Sequence, residues 1–157
     1  MSSQSQKKEI KPVKIKDSDI RYTQNSTFKL IDELTGIDFK KAYDPTPKDP
    51  KVNSLNLDWK HKDIFLNPPF SKAKVFVKKL LDDMDKFKEI KNALIILPWY
   101  FVEDYKDRVS SAAKWYKSLR NRMSQYNFKR FHLKNQPFKR PDGKEVLVRV
   151  YAIYLSR

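Results

Sequence analysis

Two short apolar runs bracket a segment of helical periodicity, and this arrangement limits the fold more than any other feature. Asp63–Leu66 (DIFL) reads as a short strand that runs directly into Asn67-Pro68-Pro69-Phe70. Asn92–Pro98 (NALIILP) is a continuous apolar run rich in β-branched residues, as expected of a strand covered on both faces. Between them a helix opens at Ser71, with Val75, Phe76, Leu80, Leu81 and Met84 at helical spacing and lysines between. Upstream, Asn25 or Ser26 is placed to cap a helix carrying Phe28, Leu30, Ile31 and Leu34, ended by Gly36. A short strand is expected at residues 41–43, then a proline-rich break, YDPTPKDP. Downstream, residues 105–123 read as a helix with a basic face, 128–133 as a strand, Pro141-Asp142-Gly143 as a turn, and 146–155 as a long final strand. The order predicts an α/β three-layer sandwich. One domain is expected over residues 20–157, preceded by a flexible basic arm over residues 1–19.

The chain has 157 residues, 34 Lys+Arg against 19 Asp+Glu, and a formal net charge of +15. Hydrophobic residues at 39% and aromatics at 13% exclude disorder for most of it, and the absence of cysteine excludes a disulfide scaffold. No apolar run reaches the ~18–20 residues of a membrane span. The N-terminus is polar and Lys-rich without an apolar leader core, so an intracellular location (cytoplasm or nucleus), with no membrane and no secretion, is expected. So large a basic excess makes nucleic acid the expected partner, through phosphate neutralisation and counterion release.

Asn67-Pro68-Pro69-Phe70 follows a strand and precedes a helix, the position where open α/β sheets bind ligands. Consecutive prolines fix two φ angles and remove two amide donors, leaving carbonyls as outward acceptors. The Asn67 side-chain oxygen beside the Pro68 carbonyl forms a pair of acceptors suited to an exocyclic amino group. Phe70 adds a face on which a flipped base can stack. Nothing in this set calls for a metal, a thiol or a charged base. An amine held between two acceptors gains electron density at nitrogen and is set to attack an electrophilic methyl.

The segment resembles motif IV, (D/N)PP(Y/F/W), of amino-group methyltransferases that use S-adenosylmethionine. With RYTQNSTFKLIDELTG, AYDPTP and LDWKHKDIFLNPPFSKAKVFVKKL in order, the chain is similar to the phage-type DNA adenine N6-methyltransferase (Dam) family. The likeness covers roughly Tyr22 to Phe101, with a weaker echo in PDGKEVLVRVYAIY. It implies a shortened Rossmann-like methyltransferase fold and methyl transfer to the N6 amino group of adenine in DNA. Asn67 and Pro68 would accept from the adenine amino group, with Pro69 completing the motif and Phe70 stacking on the flipped base. Asp44 and Pro45 would stand near the methionine part of the cofactor, and Tyr22 and Thr23 would line its pocket. Gln24 replaces the usual Pro, and Thr46-Pro47-Lys48-Asp49-Pro50 replaces a Gly-rich turn in a chain whose glycines are Gly36 and Gly143. Only 22 residues separate Asp44 from Asn67, which leaves no room for two further strand–helix units. Two alternatives therefore stand beside the first reading. One is a cap-type RNA adenosine N6-methyltransferase, and the other is an inactive methyltransferase-like nucleic-acid-binding subunit needing a protein partner or a second copy of the chain.

Two basic strips are candidates for phosphate contact. Lys114, Lys117, Arg120 and Arg122, with Trp115 and Tyr116, form one; Lys129, Arg130, Lys139 and Arg140, with His132 and Lys134, form the other, and Lys72 adds a cation beside the motif. Trp99, Tyr100 and Phe101 read equally as lining of an adenine pocket or as core aromatics. His61 and His132 have no Cys or second His at ligand spacing, so no metal site is expected. Asp82, Asp83 and Asp85 read as a solvated helix face.

Overall fold

A computed structural model describes residues 20–46, 54–103 and 111–157. The expected basic arm, the second half of the proline-rich break and the start of the helix expected over 105–123 lie outside the described residues.

The two apolar runs form β2 (Asp63–Leu66) and β3 (Asn92–Pro98), which pair in parallel with Asp63 opposite Asn92 and Leu66 opposite Ile95. Parallel neighbours need a crossover, and α2 (Ala73–Lys86) supplies it after a 3-10 turn at Phe70–Lys72. The last strand, β5 (Glu145–Ser156), lies antiparallel between β3 and β4 (Asn127–Lys139), and a two-residue strand, β1 (Tyr22–Thr23), pairs with the end of β4. The sheet order is β1-β4-β5-β3-β2. Beyond β2, Tyr43 makes a single parallel bridge to Ile64, preceded by a 3-10 turn at Phe39–Lys41 where a strand was expected from residue 41.

Helices cover both faces of the sheet. Ala93, Ile95 and Leu97 of β3, with Tyr151, Ile153 and Leu155 of β5, pack against Leu80, Leu81 and Met84 of α2 and against Tyr116 and Met123 of α4 (Ser111–Met123). The alternate residues Leu94 and Ile96, with Val150 and Ala152, meet Ile31 of α1 (Asn25–Thr35) and Phe39 on the opposite face. This two-sided burial is why β3 is apolar at every position from Ala93 to Pro98 rather than at alternate ones. Gly36 ends α1 in the left-handed region at φ 74° and donates its amide to the Asp32 carbonyl at 2.7 Å, the C-cap expected from its residue type. At the N-terminus of α1 the cap position belongs to Gln24, one residue before the expected Asn25.

The acidic face of α2 is not simply solvated. Asp83 is 5% exposed and accepts the Trp59 backbone amide at 2.8 Å and Lys79 Nζ at 3.0 Å. A buried carboxylate needs such donors to offset lost hydration. Asp82 and Asp85 both accept from Arg122 of α4, at 2.8 and 2.9 Å, and join the two helices. Asp85 also accepts from the Tyr126 hydroxyl at 2.5 Å; burial and then this carboxylate push the Tyr126 phenol up to about 12.

Both final strands run longer than the sequence indicates. The β4–β5 ladder shifts register between His132 and Lys134, and Lys134 takes φ 62°. A β-bulge absorbs the extra residue and increases local twist. Pro98 ends β3 level with Val150 and Lys134, so residues 135–139 and 145–149 continue past that edge as a two-stranded arm. Gly143, at φ 86°, turns the arm, with its amide donated to the Arg140 carbonyl at 2.9 Å. A further short helix, α3 (Trp99–Val102), follows β3 and was not anticipated.

The two-sided burial of β3 makes a direct prediction. Leu94→Ala should lower the unfolding free energy by about 2–5 kcal/mol through lost transfer energy and a residual cavity. Urea unfolding at unchanged m-value measures this; a loss below about 1 kcal/mol would contradict close packing at that face.

Candidate functional site

The Tyr43 bridge and β2 deliver two polar residues to one edge of the sheet. The Tyr43 amide donates to the Asp63 carbonyl at 3.0 Å, and the Phe65 amide donates to the Tyr43 carbonyl at 2.9 Å. Asp44 and Asn67 therefore leave neighbouring, parallel strand ends, the edge at which α/β sheets place ligands. Pro45, Pro68 and Pro69 are buried behind them and stiffen both departures. Thr46 closes the first departure: its amide and its hydroxyl each lie 2.8 Å from Asp44 Oδ1. The same hydroxyl is 3.3 Å from the Asn67 carbonyl oxygen, linking the two strand ends.

Facing these ends is a cavity of about 400 Å³ lined by residues 21–24, Phe28, Asp44, Thr46, Phe65, Asn67 and Lys139. Its volume falls within the range of about 300–1,000 Å³ typical of small-molecule pockets. Phe28 and Phe65, with ring centroids 4.7 Å apart, form an apolar wall. Asp44, Asn67, Thr46 and Lys139 supply the polar groups. The carboxyl of Asp44 is pushed above the usual aspartate range by crowding from the surrounding protein, although the side chain keeps contact with solvent; the two Thr46 hydrogen bonds act in the opposite direction.

Asn67 carries the most specific geometry. Its Nδ2 donates to the Arg21 carbonyl oxygen at 2.7 Å and to Thr23 Oγ1 at 2.9 Å. A carbonyl oxygen only accepts, so the nitrogen must face Arg21 and the amide orientation follows from the network. Asn67 Oδ1 is left shielded from solvent with no hydrogen-bond partner among the described residues. Leaving such an acceptor unsatisfied costs about 1–3 kcal/mol, and orphaned acceptors of this kind point to strain or to a ligand.

Of the residues singled out from the sequence, the cavity brings together Tyr22, Thr23, Asp44, Asn67 and Lys139. Phe70 is half-buried and packs against the core cluster on the α2 side, where Trp99 and Trp115 also pack, rather than in the cavity wall. Lys72 ends the 3-10 turn, and its amide donates to the Pro69 carbonyl at 2.9 Å, leaving Pro68 as the proline carbonyl that this turn does not use. Phe101 is core, Trp99 is half-buried against the same cluster and Tyr100 is 41% exposed; none of the three lines the cavity.

The basic strips do not form one surface. Lys114, Lys117 and Arg120 are exposed on α4, but Arg122 is engaged by Asp82 and Asp85, so it serves as a helix–helix link rather than a side chain held out for phosphate. Lys129 and Arg130 stand level with Leu94 and Ile95 of β3, with the Arg130 guanidinium 5.6 Å from the Tyr151 ring. Lys139 lies nine residues further along β4, about 30 Å at strand rise, and Arg140 is drawn to Asp142 at 3.5 Å.

Sequence reasoning missed Arg21 and Thr46 in the site. The Asp44-x-Thr46 spacing, which favours a local side-chain turn, was a usable signal; a main-chain contribution from Arg21 had none. It also missed a second polar cluster. Glu103 accepts from Arg149 and from the Tyr151 hydroxyl, the latter at 2.5 Å; Arg149 Nε donates to His132 Nε2 at 3.0 Å, and its guanidinium lies 5.4 Å from the Trp99 ring.

Compared with known proteins, the chain matches no family model, no curated sequence and no solved structure. No helix among the described residues is long and apolar enough to cross a membrane.

Asp44→Asn tests the electrostatics of the cavity, because asparagine keeps an acceptor for Thr46 and removes the charge. The folded carboxyl titrates above its unfolded value, so the folded state of the wild type carries a penalty at neutral pH that disappears once both states are protonated. Asp44→Asn should therefore melt higher than wild type at pH 7 and coincide with it near about pH 3. Equal offsets at both pH values in a thermal melt would contradict the assignment.

Proposed function

We propose that this chain transfers a methyl group from S-adenosylmethionine to the N6 amino group of adenine in nucleic acid, with DNA as the preferred polymer. The observation that carries the reading is the unpartnered Asn67 Oδ1, at the end of one strand beside the Asp44 carboxylate at the end of the next. An amino group is a donor that an orphaned acceptor lacks, and adenine presents one at its edge. The sheet with helices on both faces, reduced to two parallel strands and one bridge on this side, is compatible with a shortened methyltransferase-like fold.

The residues present fit the cofactor. Asp44 has the charge to hold its ammonium, Lys139 the charge to hold its carboxylate, and the Phe28–Phe65 wall accepts apolar surface. When bound, S-adenosylmethionine supplies an electrophilic methyl. Asn67 holds one amine proton at Oδ1, and the Pro68 carbonyl provides a second acceptor next to it. The two buried prolines keep both acceptors from relaxing as an amine approaches, which is preorganisation of the kind that lowers a barrier. Phe70, the last residue of the motif and partly exposed, is the residue for stacking an extruded base. The formal charge of +15 favours a polyanionic substrate.

A second reading, a non-catalytic nucleic-acid-binding subunit, has one observation in its favour. Thr46 already occupies Asp44 Oδ1 with two contacts, in a loop whose sequence has no glycine. One experiment separates the readings: labelled S-adenosylmethionine with single-stranded DNA, duplex DNA and RNA, for wild type and Asn67→Ala. Label recovered as N6-methyladenine, and reduced about 10²–10³-fold by the substitution, is the expected result. Incorporation into RNA alone would move the substrate to RNA. No label in any polymer, no cofactor binding by calorimetry and tight salt-sensitive DNA binding would establish the binding subunit instead.

A further inference from the structure

Residues 21–23 form a strap across the Asn67 side chain, and the strap is held from three directions. Tyr22 and Thr23 pair with Lys139 and Phe138 at the end of β4. Gln24 Nε2 donates to the Tyr22 carbonyl at 2.8 Å. One turn into α1, the buried Thr27 donates its hydroxyl to Gln136 Oε1 at 2.8 Å, tying the helix start to the same strand. The Arg21 carbonyl and the Thr23 hydroxyl are thus fixed before any ligand arrives, and both take protons from Asn67 Nδ2, at 2.7 and 2.9 Å.

We propose that Thr23 is a positioning residue for Asn67: with the Arg21 carbonyl it locks the rotation of the side-chain amide, leaving Oδ1 as the atom of that amide without a partner among the described residues, while the Arg21 carbonyl makes aspartate unacceptable at position 67 of this chain. The inference rests on the functional reading above for its catalytic consequence and on the hydrogen bonds alone for its geometry. As a bare acceptor, an aspartate would serve an incoming amine as well as an asparagine does. Here its second oxygen would lie against the Arg21 carbonyl oxygen, two acceptors with no proton between them. The Thr23 hydroxyl can rotate to donate to that oxygen, but the Arg21 carbonyl cannot. A carboxylate must then turn away, carrying the productive oxygen with it, and small misplacements of a catalytic group have large effects on rate.

The test combines side-chain amide exchange with kinetics on the full chain. By nitrogen-15 NMR, the Asn67 Nδ2 protons should exchange more slowly than those of the exposed Asn121 and Asn135. Thr23→Val should weaken that protection, leaving the Arg21 carbonyl as the one acceptor, and Thr23→Ser, which keeps the hydroxyl, should restore it. In methyl transfer, Thr23→Val should lower kcat by about 10–100-fold with little change in the KM for either substrate, Thr23→Ser should recover most of the loss, and Asn67→Asp should lose about 100-fold or more. Asn67 protons exchanging as fast as those of Asn121, protection undiminished in Thr23→Val, or Asn67→Asp as active as wild type would each overturn the proposal. A wild-type chain without activity would overturn the functional reading alone, because the exchange rates still decide whether Thr23 positions the amide.

Discussion

β3 is hydrogen-bonded on both edges, by β2 and by β5, and buried on both faces. No slip is open to it: a shift of one residue would exchange Leu94 and Ile96 with Ala93, Ile95 and Leu97, sending each set into the wrong helical layer. That fixed register propagates outward. Leu66 opposite Ile95 sets the height at which β2 ends, and the Tyr43 bridge to Ile64 sets the height of the next chain segment. Asn67 and Asp44 inherit their positions from these pairings. The candidate site is thus positioned by core packing one strand from Asn67 and two from Asp44, and the Thr46 hydroxyl then links the two strand ends.

Charge is distributed with a similar economy. A chain of net charge +15 repels itself when compact, and three carboxylates of α2 are paired with cations. Asp82 and Asp85 take Arg122, and Asp83 takes Lys79 while also closing the Trp59 backbone amide into the core. Asp83 has a different standing from its neighbours, since removing its partners would strand a buried charge; the others lie at the surface, where each pair contributes little. Among the described residues, exposed Lys114 and Arg120 on α4 and Lys129 and Arg130 on β4 spread basic charge over two elements.

Local signals made most of the fold legible. Asp63–Leu66, Asn92–Pro98, the α1 end at Gly36 and the turn at Gly143 follow from run length, burial pattern and backbone demands that each segment states alone. The failures share a cause. β1 is two residues long and exists because β4 overshoots the sheet to meet it, so nothing within Tyr22–Thr23 announces a strand. The extra length of β4 depends on a bulge at Lys134, a residue type with no particular claim to positive φ. Asp83 looked solvated because helical spacing places it among charged residues, and only the distant Trp59 amide draws it inward. In the site itself, Asp44 and Asn67 were readable as residues at strand ends. The Arg21 carbonyl was not, because a main-chain acceptor carries no residue-type signature.

Two groups at this edge are held away from the state that would suit an isolated fold. The Asn67 oxygen is buried without a donor, and the Asp44 carboxyl sits where crowding opposes its charge. Either could be relieved simply: an apolar side chain at 67, or an amide at 44 on the Thr46 turn. Elsewhere the same chain solves such problems well, as Asp83 and the Trp59 indole, which donates to the Ser54 carbonyl at 2.9 Å, demonstrate. The same is not true everywhere, since Tyr116 Oη and Arg140 Nε are also buried without a partner among the described residues; what sets this edge apart is an orphaned acceptor beside a carboxyl held above its usual range. On the proposed function, the direction of each conflict would suit the ligand: the oxygen requires a hydrogen-bond donor, and the carboxylate gains from a cation. A neutral or purely apolar occupant would relieve neither, whereas a molecule bringing an ammonium to Asp44 and an amino group to Asn67 would relieve both.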